Sequence, residues 1–143
     1  MTEAISSFGT LLQMSDGGTP DVYTTIGEIR DISGAGVTLD MEEVTNQSST
    51  DGWAEKIATI LSADDISFGI NYKPTGATHR LTTGLLGLQS NRTLRNFKLV
   101  FPDGLSTNWV IPARVAKFTV NAPVRGALTA DCTLSPSGKP TLA

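Results

Sequence analysis

The chain has 143 residues, the length of one domain and enough to bury a core without disulfide or metal staples. Hydrophobic residues make up 39% and charged residues 17%, which excludes a disordered chain. The net charge of −3, with lysines and arginines scattered singly, argues against a surface built to grip phosphates. Cys132 is alone, so no intrachain disulfide can form, and one histidine with one cysteine leaves no ordinary zinc site. The opening MTEAISSFGT lacks the basic and apolar regions of a secretory leader. No apolar run reaches the ~20 residues of a membrane span. A soluble chain that folds in the cytosol, with no membrane insertion, is therefore expected.

In chain order, Phe8, Thr10, Leu12 and Met14 alternate with their neighbours, a strand signal that ends in the turn-forming SDGGTP. A second extended stretch is predicted over 22–31, closing at Ser33-Gly34-Ala35-Gly36. Val37, Leu39 and Met41 then face one way, and Thr38, Asp40 and Glu42 the other. Residues 43–53 read EVTNQSSTDGW, polar and hydroxyl-rich, and 54–61 read as strand or helix. Together they make a connection longer than the ~12–15 residues usual for unstructured loops, and such connections are mostly functional or mobile.

The clearest alternation follows: Ile66, Phe68, Ile70 and Tyr72 against Asp65, Ser67, Gly69 and Asn71. One helix is predicted over 78–90. Its apolar face is Leu81, Leu85 and Leu88, its cap Thr75 or Thr78, and its end Asn91. Gly84 and Gly87 each weaken it by ~1 kcal/mol against alanine, so docking on a sheet has to stabilise it. Extended segments follow at 97–101 and 109–120, where Pro112 marks a bulge or an edge position. Leu128, Ala130, Cys132 and Leu134 close the chain opposite Thr129, Asp131 and Thr133. The pattern predicts a mainly β fold, an antiparallel sandwich or barrel with one flanking helix.

Chemistry is thinly represented. His79 is expected as an exposed residue in the first helical turn; a catalytic His needs an orienting carboxylate and a nucleophile, and no local signature such as G-x-S-x-G supports that. Cys132 sits on the apolar side of its strand and reads as core. Asp40, Glu42 and Glu43 lack calcium-loop spacing and read as a solvated strand end or an interface charge. Gly34-Ala35-Gly36 lacks the context of a nucleotide loop and reads as a turn. No catalytic, cofactor-binding or metal residue is assigned, and an enzyme is not expected. The short polar faces Ser67–Gly69–Asn71 and Thr129–Asp131–Thr133 admit two readings. They are an ordinary solvated sheet face, or the wall of a water-filled passage, where scarce cations let a polyanion slide.

The ordered set of segments resembles the tail tube (major tail) proteins of long-tailed bacteriophages, siphophage type. FGTLLQMSDGGTPDVYTTIGEIRDISG resembles the family's opening strands, and EVTNQSSTDGWAEKI its long hairpin loop. DISFGINYKP resembles the strand after that loop, and HRLTTGLLGLQSNRTLRNFKLVFPDG the helix and strand ending in F-P-D-G. WVIPARVAKFTVNAPVRGALTADCTLSPSGKP is similar to the terminal hairpin. The resemblance covers about residues 8–138; its weight lies in the order of the segments, since no single motif is diagnostic.

The resemblance implies a single tail tube domain over 1–143, a fold also similar to type VI secretion ring proteins. It implies a mobile N-terminal arm 1–7, a long polar loop 43–57 and a C-terminal tail 135–143. It implies a structural virion protein that self-assembles into stacked hexameric rings, the conduit for genome delivery. The expected ring-stacking residues are Glu42, Glu43, Thr45, Asn46, Gln47, Ser48, Ser49, Thr50, Asp51 and Trp53. Trp53 is the expected anchor, because aromatic residues dominate interface energetics. Ser67, Asn71, Thr129 and Asp131 are expected to face the lumen, past which DNA moves without specific binding. No cofactor is implied. Implied partners are copies of itself, the tape measure protein, the tail terminator and tail-tip proteins. The implied location is the virion tail, with assembly in the host cytoplasm. Two rival readings keep a sandwich: an immunoglobulin-like decoration or host-binding module, and a type VI secretion ring subunit.

Overall fold

In the computed structural model, which describes residues 2–142, seven strands form one antiparallel sheet and two more form a separate hairpin. The strands of the sheet are β1 (Leu11–Ser15), β2 (Tyr23–Thr25), β3 (Ile29–Ser33), β6 (Ile66–Asn71), β7 (Arg95–Val100), β8 (Asn108–Asn121) and β9 (Thr129–Pro136). Their order is β2-β1-β7-β8-β9-β6-β3. The hairpin pairs β4 (Val37–Glu43) with β5 (Lys56–Ala63). One short helix, α1 (Leu85–Ser90), packs against β8.

The predicted stretch 22–31 is two strands, β2 and β3, at opposite ends of the sheet and separated only by residues 26–28. The sheet must therefore curl until its ends almost meet. Ile26 N–H donates to the Leu12 carbonyl at 2.9 Å, and Asn71 N–H donates to the Glu28 carbonyl at 3.0 Å. The corner thus extends the ladder on both sides and leaves little free edge. The inner face of the curl is the core. Leu12, Met14, Phe97, Leu99, Ile111 and Val115 come from one half, and Ile66, Phe68, Ile70, Ala130, Cys132 and Leu134 from the other. Each Leu, Ile, Val, Phe or Met among them contributes about 1.5–3 kcal/mol on burial.

β8 serves both halves. Over its 14 residues it pairs with β7 through Asn108–Ala113 and with β9 through Ala113–Asn121, with a bulge between Val115 and Lys117. Pro112 lies where the β9 ladder has just ended. Its carbonyl accepts from Ser137 at 2.9 Å, and the chain rejoins β8 through the Val110–Thr141 pair. The residue without an N–H thus occupies an edge-like position of an inner strand, one of the two placements expected for it.

The helix is shorter than expected. Residues 78–84 form turns, Leu81 is exposed, and only Leu85 and Leu88 turn toward the core. Asn91 caps the end as expected, but Gly84 holds the start, and the Thr78 hydroxyl accepts from Gly27 N–H at 3.1 Å instead of capping. Gly84 and Gly87 are not mere weak points. A Cβ on Gly84 would lie 2.5 Å from Thr78 backbone, and one on Gly87 would lie 2.2 Å from the Leu81 carbonyl oxygen. The chain doubles back on itself here, and glycine is what fits.

His79 also departs from expectation: it is buried, with 2% of its surface exposed. Its Nδ1 accepts from Lys73 N–H at 3.1 Å, and its Nε2–H donates to the Gly27 carbonyl at 2.8 Å. Thr78 and His79 together satisfy both polar groups of Gly27, so this lone histidine fastens the corner that closes the sheet.

The F-P-D-G segment has a local cause. Asp103 accepts from Leu105 N–H at 2.9 Å, from Thr107 N–H at 3.3 Å and from the Thr107 hydroxyl. These bonds, led by the Thr107 hydroxyl, hold its carboxyl below the usual carboxylate range. Gly104 takes φ +78, so the turn joining β7 to β8 is set by its own residues.

Candidate functional site

The β4–β5 hairpin continues outward from the β3–β6 pair, beyond a joint at Gly34–Gly36 and Asp64–Asp65. Gly34 has φ +84, and a Cβ there would lie 2.5 Å from the Asp65 carbonyl oxygen. Across the joint Asp64 N–H donates to the Gly36 carbonyl at 2.9 Å, and the Thr38 hydroxyl donates to Asp64 at 2.6 Å.

The segment 54–61, open to either assignment in sequence, belongs mostly to a strand. The expected unstructured connection is therefore largely ladder, with a tip of only 44–55. Thr59 and Ile60 stand opposite Asp40 as a bulge. Paired residues share a face, so Val37, Leu39 and Met41 line up with Ala63, Leu61 and Ala58. This apolar face is uncovered: Leu61 is 71% exposed, and every β4 residue is exposed. Glu42 and Glu43 close β4 on opposite faces, facing Ile57 and Lys56 across the ladder.

The tip residues hold one another. Glu55 N–H donates to the Thr45 hydroxyl at 2.8 Å, Ser48 N–H to the Asn46 side chain at 2.8 Å, and Asn46 N–H to the Ser49 hydroxyl at 3.0 Å. Thr50–Gly52 make one 3-10 turn, with Asp51 and Gly52 at positive φ. Gln47 and Asp51 are exposed, and Trp53, just past the turn, is 75% exposed. The tip thus presents an indole on a shape fixed by its own hydrogen bonds.

On the sheet's outer face the structure gathers the four expected lumen residues. The register sets Ser67 opposite Thr133, Gly69 opposite Asp131 and Asn71 opposite Thr129. All lie on the side away from the core; Ser67, Asn71 and Asp131 are exposed and Thr129 half-buried. Lys117, Thr119 and Asn121 of β8 extend the same face through their pairing with Thr133, Asp131 and Thr129. Sequence reasoning missed Arg30, which reaches this face from β3 and approaches Asp131 at 3.9 Å. Its only signal was its place beside the strand's alternation, where a bulge shifts the register.

Nothing on these surfaces suggests chemistry. Cys132 is buried in the core, and burial pushes its thiol up to about 12. Among the described residues, no three His, Cys, Asp or Glu side chains gather as a metal would need.

The lambda phage tail tube protein model matches residues 8–143. The chain belongs to the lambda phage tail tube protein family. It is a structural protein of a phage tail tube, not an enzyme. No curated protein matches it. Solved structures share the tail tube fold at low identity. A chain of the virion of a native gene transfer agent particle has a TM-score of 0.77 at 16% identity, over 98% of this chain and 99% of that one. A chain of the tail of an empty gene transfer agent particle, refined helically with C6 symmetry, has 0.76 at 17%, over the same shares. A chain of the sheath/tube terminator of an extracellular contractile injection system has 0.71 at 12%, over 100% and 99%.

Proposed function

We propose that this tail tube protein closes into six-membered rings that stack into a hollow tube, through which the genome leaves the virion. The observation that carries the proposal is the β4–β5 hairpin, which leaves the body and exposes an apolar face. Such a face is a liability in a free monomer and an asset in an assembly. The C6 symmetry of the similar gene transfer agent tail supports six subunits. A head-to-tail contact that closes by rotation gives a ring.

In this reading Glu42, Glu43, Thr45–Asp51 and Trp53 meet the adjacent ring, with the two glutamates near a neighbour's basic groups. Ser67, Asn71, Thr129 and Asp131 face the lumen. The N-terminal arm 1–7 and the C-terminal tail 135–143, whose first two residues are the end of β9 and whose Thr141 pairs with Val110, add to stacking. Tape measure, tail terminator and tail-tip proteins are the further partners, with assembly in the host cytoplasm and final residence in the virion tail. Similar folds in a baseplate and a tube-terminating cap of the anti-feeding prophage support partners of this kind.

Negative-stain electron microscopy of the concentrated protein, paired with its solution mass, tests the proposal. Rings or striated hollow tubes are expected. A monomer that never polymerises, even with tail-tip and tape measure proteins present, overturns it in favour of a binding module. Deleting 46–51 should preserve the β spectrum and melting of the monomer yet abolish tubes. Normal tubes from that deletion would remove the tip from the stacking interface.

A further inference from the structure

On the outer face, Arg30 of β3 lies beside Gly69 of β6 and reaches Asp131 of β9, one strand further on. Two strand spacings are about 10 Å, a distance that an arginine crosses only by lying flat on the strand between. Gly69 makes that path available. A Cβ there would lie 2.7 Å from Arg30 Nη2 and 3.3 Å from its Cζ. Asp131 is the register partner of Gly69, so its carboxylate waits at the end of the path. One Asp131 oxygen faces Arg30 at 3.9 Å, and the other accepts from the Asn121 amide at 3.1 Å.

We propose that Gly69 and Asp131 mask Arg30, laying its guanidinium on the sheet and neutralising it so that this face does not grip nucleic acid phosphates. The proposal rests on the reading of this face as the channel wall. A guanidinium standing free would be the strongest phosphate ligand there, because its planar fork binds two oxygens at once. Repeated around every ring, it would turn a passive wall into a ladder of binding sites, each releasing counterions. Arg114, opposite Ser135 further along β9, lies on the same side of the sheet and donates through Nε to the Arg92 carbonyl at 3.4 Å. Lys117 has no carboxylate within ion-pair distance among the described residues. It is a compact point charge and less suited to paired contacts.

Three variants separate masking from simple charge counting: Gly69→Ala, Asp131→Asn, and Arg30→Gln combined with Asp131→Asn. The readout is fluorescence anisotropy of a short single-stranded oligonucleotide at several salt concentrations. It is measured on the monomer, where the face is open, and on tubes where they form. Gly69→Ala leaves the net charge unchanged, and only the mobile end of Arg30 has to give way. Gly69→Ala and Asp131→Asn should each bind about fivefold more tightly than the parent, the factor to which ~1 kcal/mol converts. The log–log salt slope should steepen by ~0.7 per arginine engaged. The double variant should fall back to the parental affinity. Unchanged binding by Gly69→Ala, or tight binding that survives loss of Arg30, overturns the masking.

The channel reading fails separately. Biotin placed on Ser67→Cys should be shielded from streptavidin in intact tubes, while buried Cys132 stays unlabelled. Shielding is the expected result. Streptavidin binding along the tube would place this face outside, whatever the oligonucleotide shows.

Discussion

The seven-stranded sheet and the β4–β5 hairpin are written in the same alphabet of alternating side chains, but they do different things with it. In β6 and β9 the apolar positions Ile66, Phe68, Ile70, Ala130, Cys132 and Leu134 are buried within the chain. In β4 and β5 the equivalent positions Val37, Leu39, Met41 and Leu61 are exposed. Alternation therefore marks the apolar side of a strand, and says nothing of whether the same chain covers it. Under the proposed assembly, a tail tube subunit would keep both kinds: a body that packs its own core, and an arm whose apolar face a neighbour would cover.

Substitutions break this comparison in graded steps. Phe97→Ala in the body should cost about 3–5 kcal/mol in chemical denaturation. Leu61→Ala in the hairpin should cost the monomer less than ~0.5 kcal/mol while raising the protein concentration needed to form tubes. Equal losses in the monomer would erase the distinction. Gly87→Ala tests whether the body's turn-rich segment depends on close backbone approach. The added methyl meets the Leu81 carbonyl, and a loss of about 1–3 kcal/mol is expected. A neutral result would mean that the crossing relaxes freely.

His79→Ala should cost about 1–3 kcal/mol, because the Gly27 carbonyl loses its partner at the sheet-closing corner. The loss should appear as early hydrogen exchange at β2 and β3, and uniform exchange would argue against a local fastening. The last effect is absent at neutral pH and concerns Cys132, whose thiol rises from 9.0 to about 12 through burial. The folded state keeps that proton longer than the unfolded state does. Stability should therefore be unaffected below about pH 9 and decline as pH rises toward 12, more steeply than in Cys132→Ala. The thiol should also resist disulfide reagents at neutral pH until the body unfolds.

Local pattern made much of this molecule legible. The strands of the body, the buried Cys132, the polar face of β6 and β9 and the end of α1 at Asn91 all follow from periodicity and end signals. Nearest-neighbour reasoning failed where distant parts of the chain meet. Leu81 has helical spacing with Leu85, yet the backbone turns between them because Gly84 lets residues 78–80 pass close by. His79 lies in a polar stretch, and its partner Gly27 is about fifty residues away. The hairpin was misjudged for a different reason: EVTNQSSTDGW looks like free loop, but its hydroxyls and amides bond one another, and the ladder on either side shortens the tip. Arg30 was missed because it approaches Asp131 across Gly69 of β6, three strands later in the chain.

β8 has a consequence under mechanical load. Its ladder bonds run across the strand, to β7 along one half and to β9 along the other. Tension along β8 would have to shear those bonds together. The β4–β5 arm, pulled apart from its tip, would open one rung at a time. In the proposed tube, strain would therefore be yielded first by the β4–β5 arms and last by the bodies, so that a distorted tube could recover its shape without any subunit unfolding.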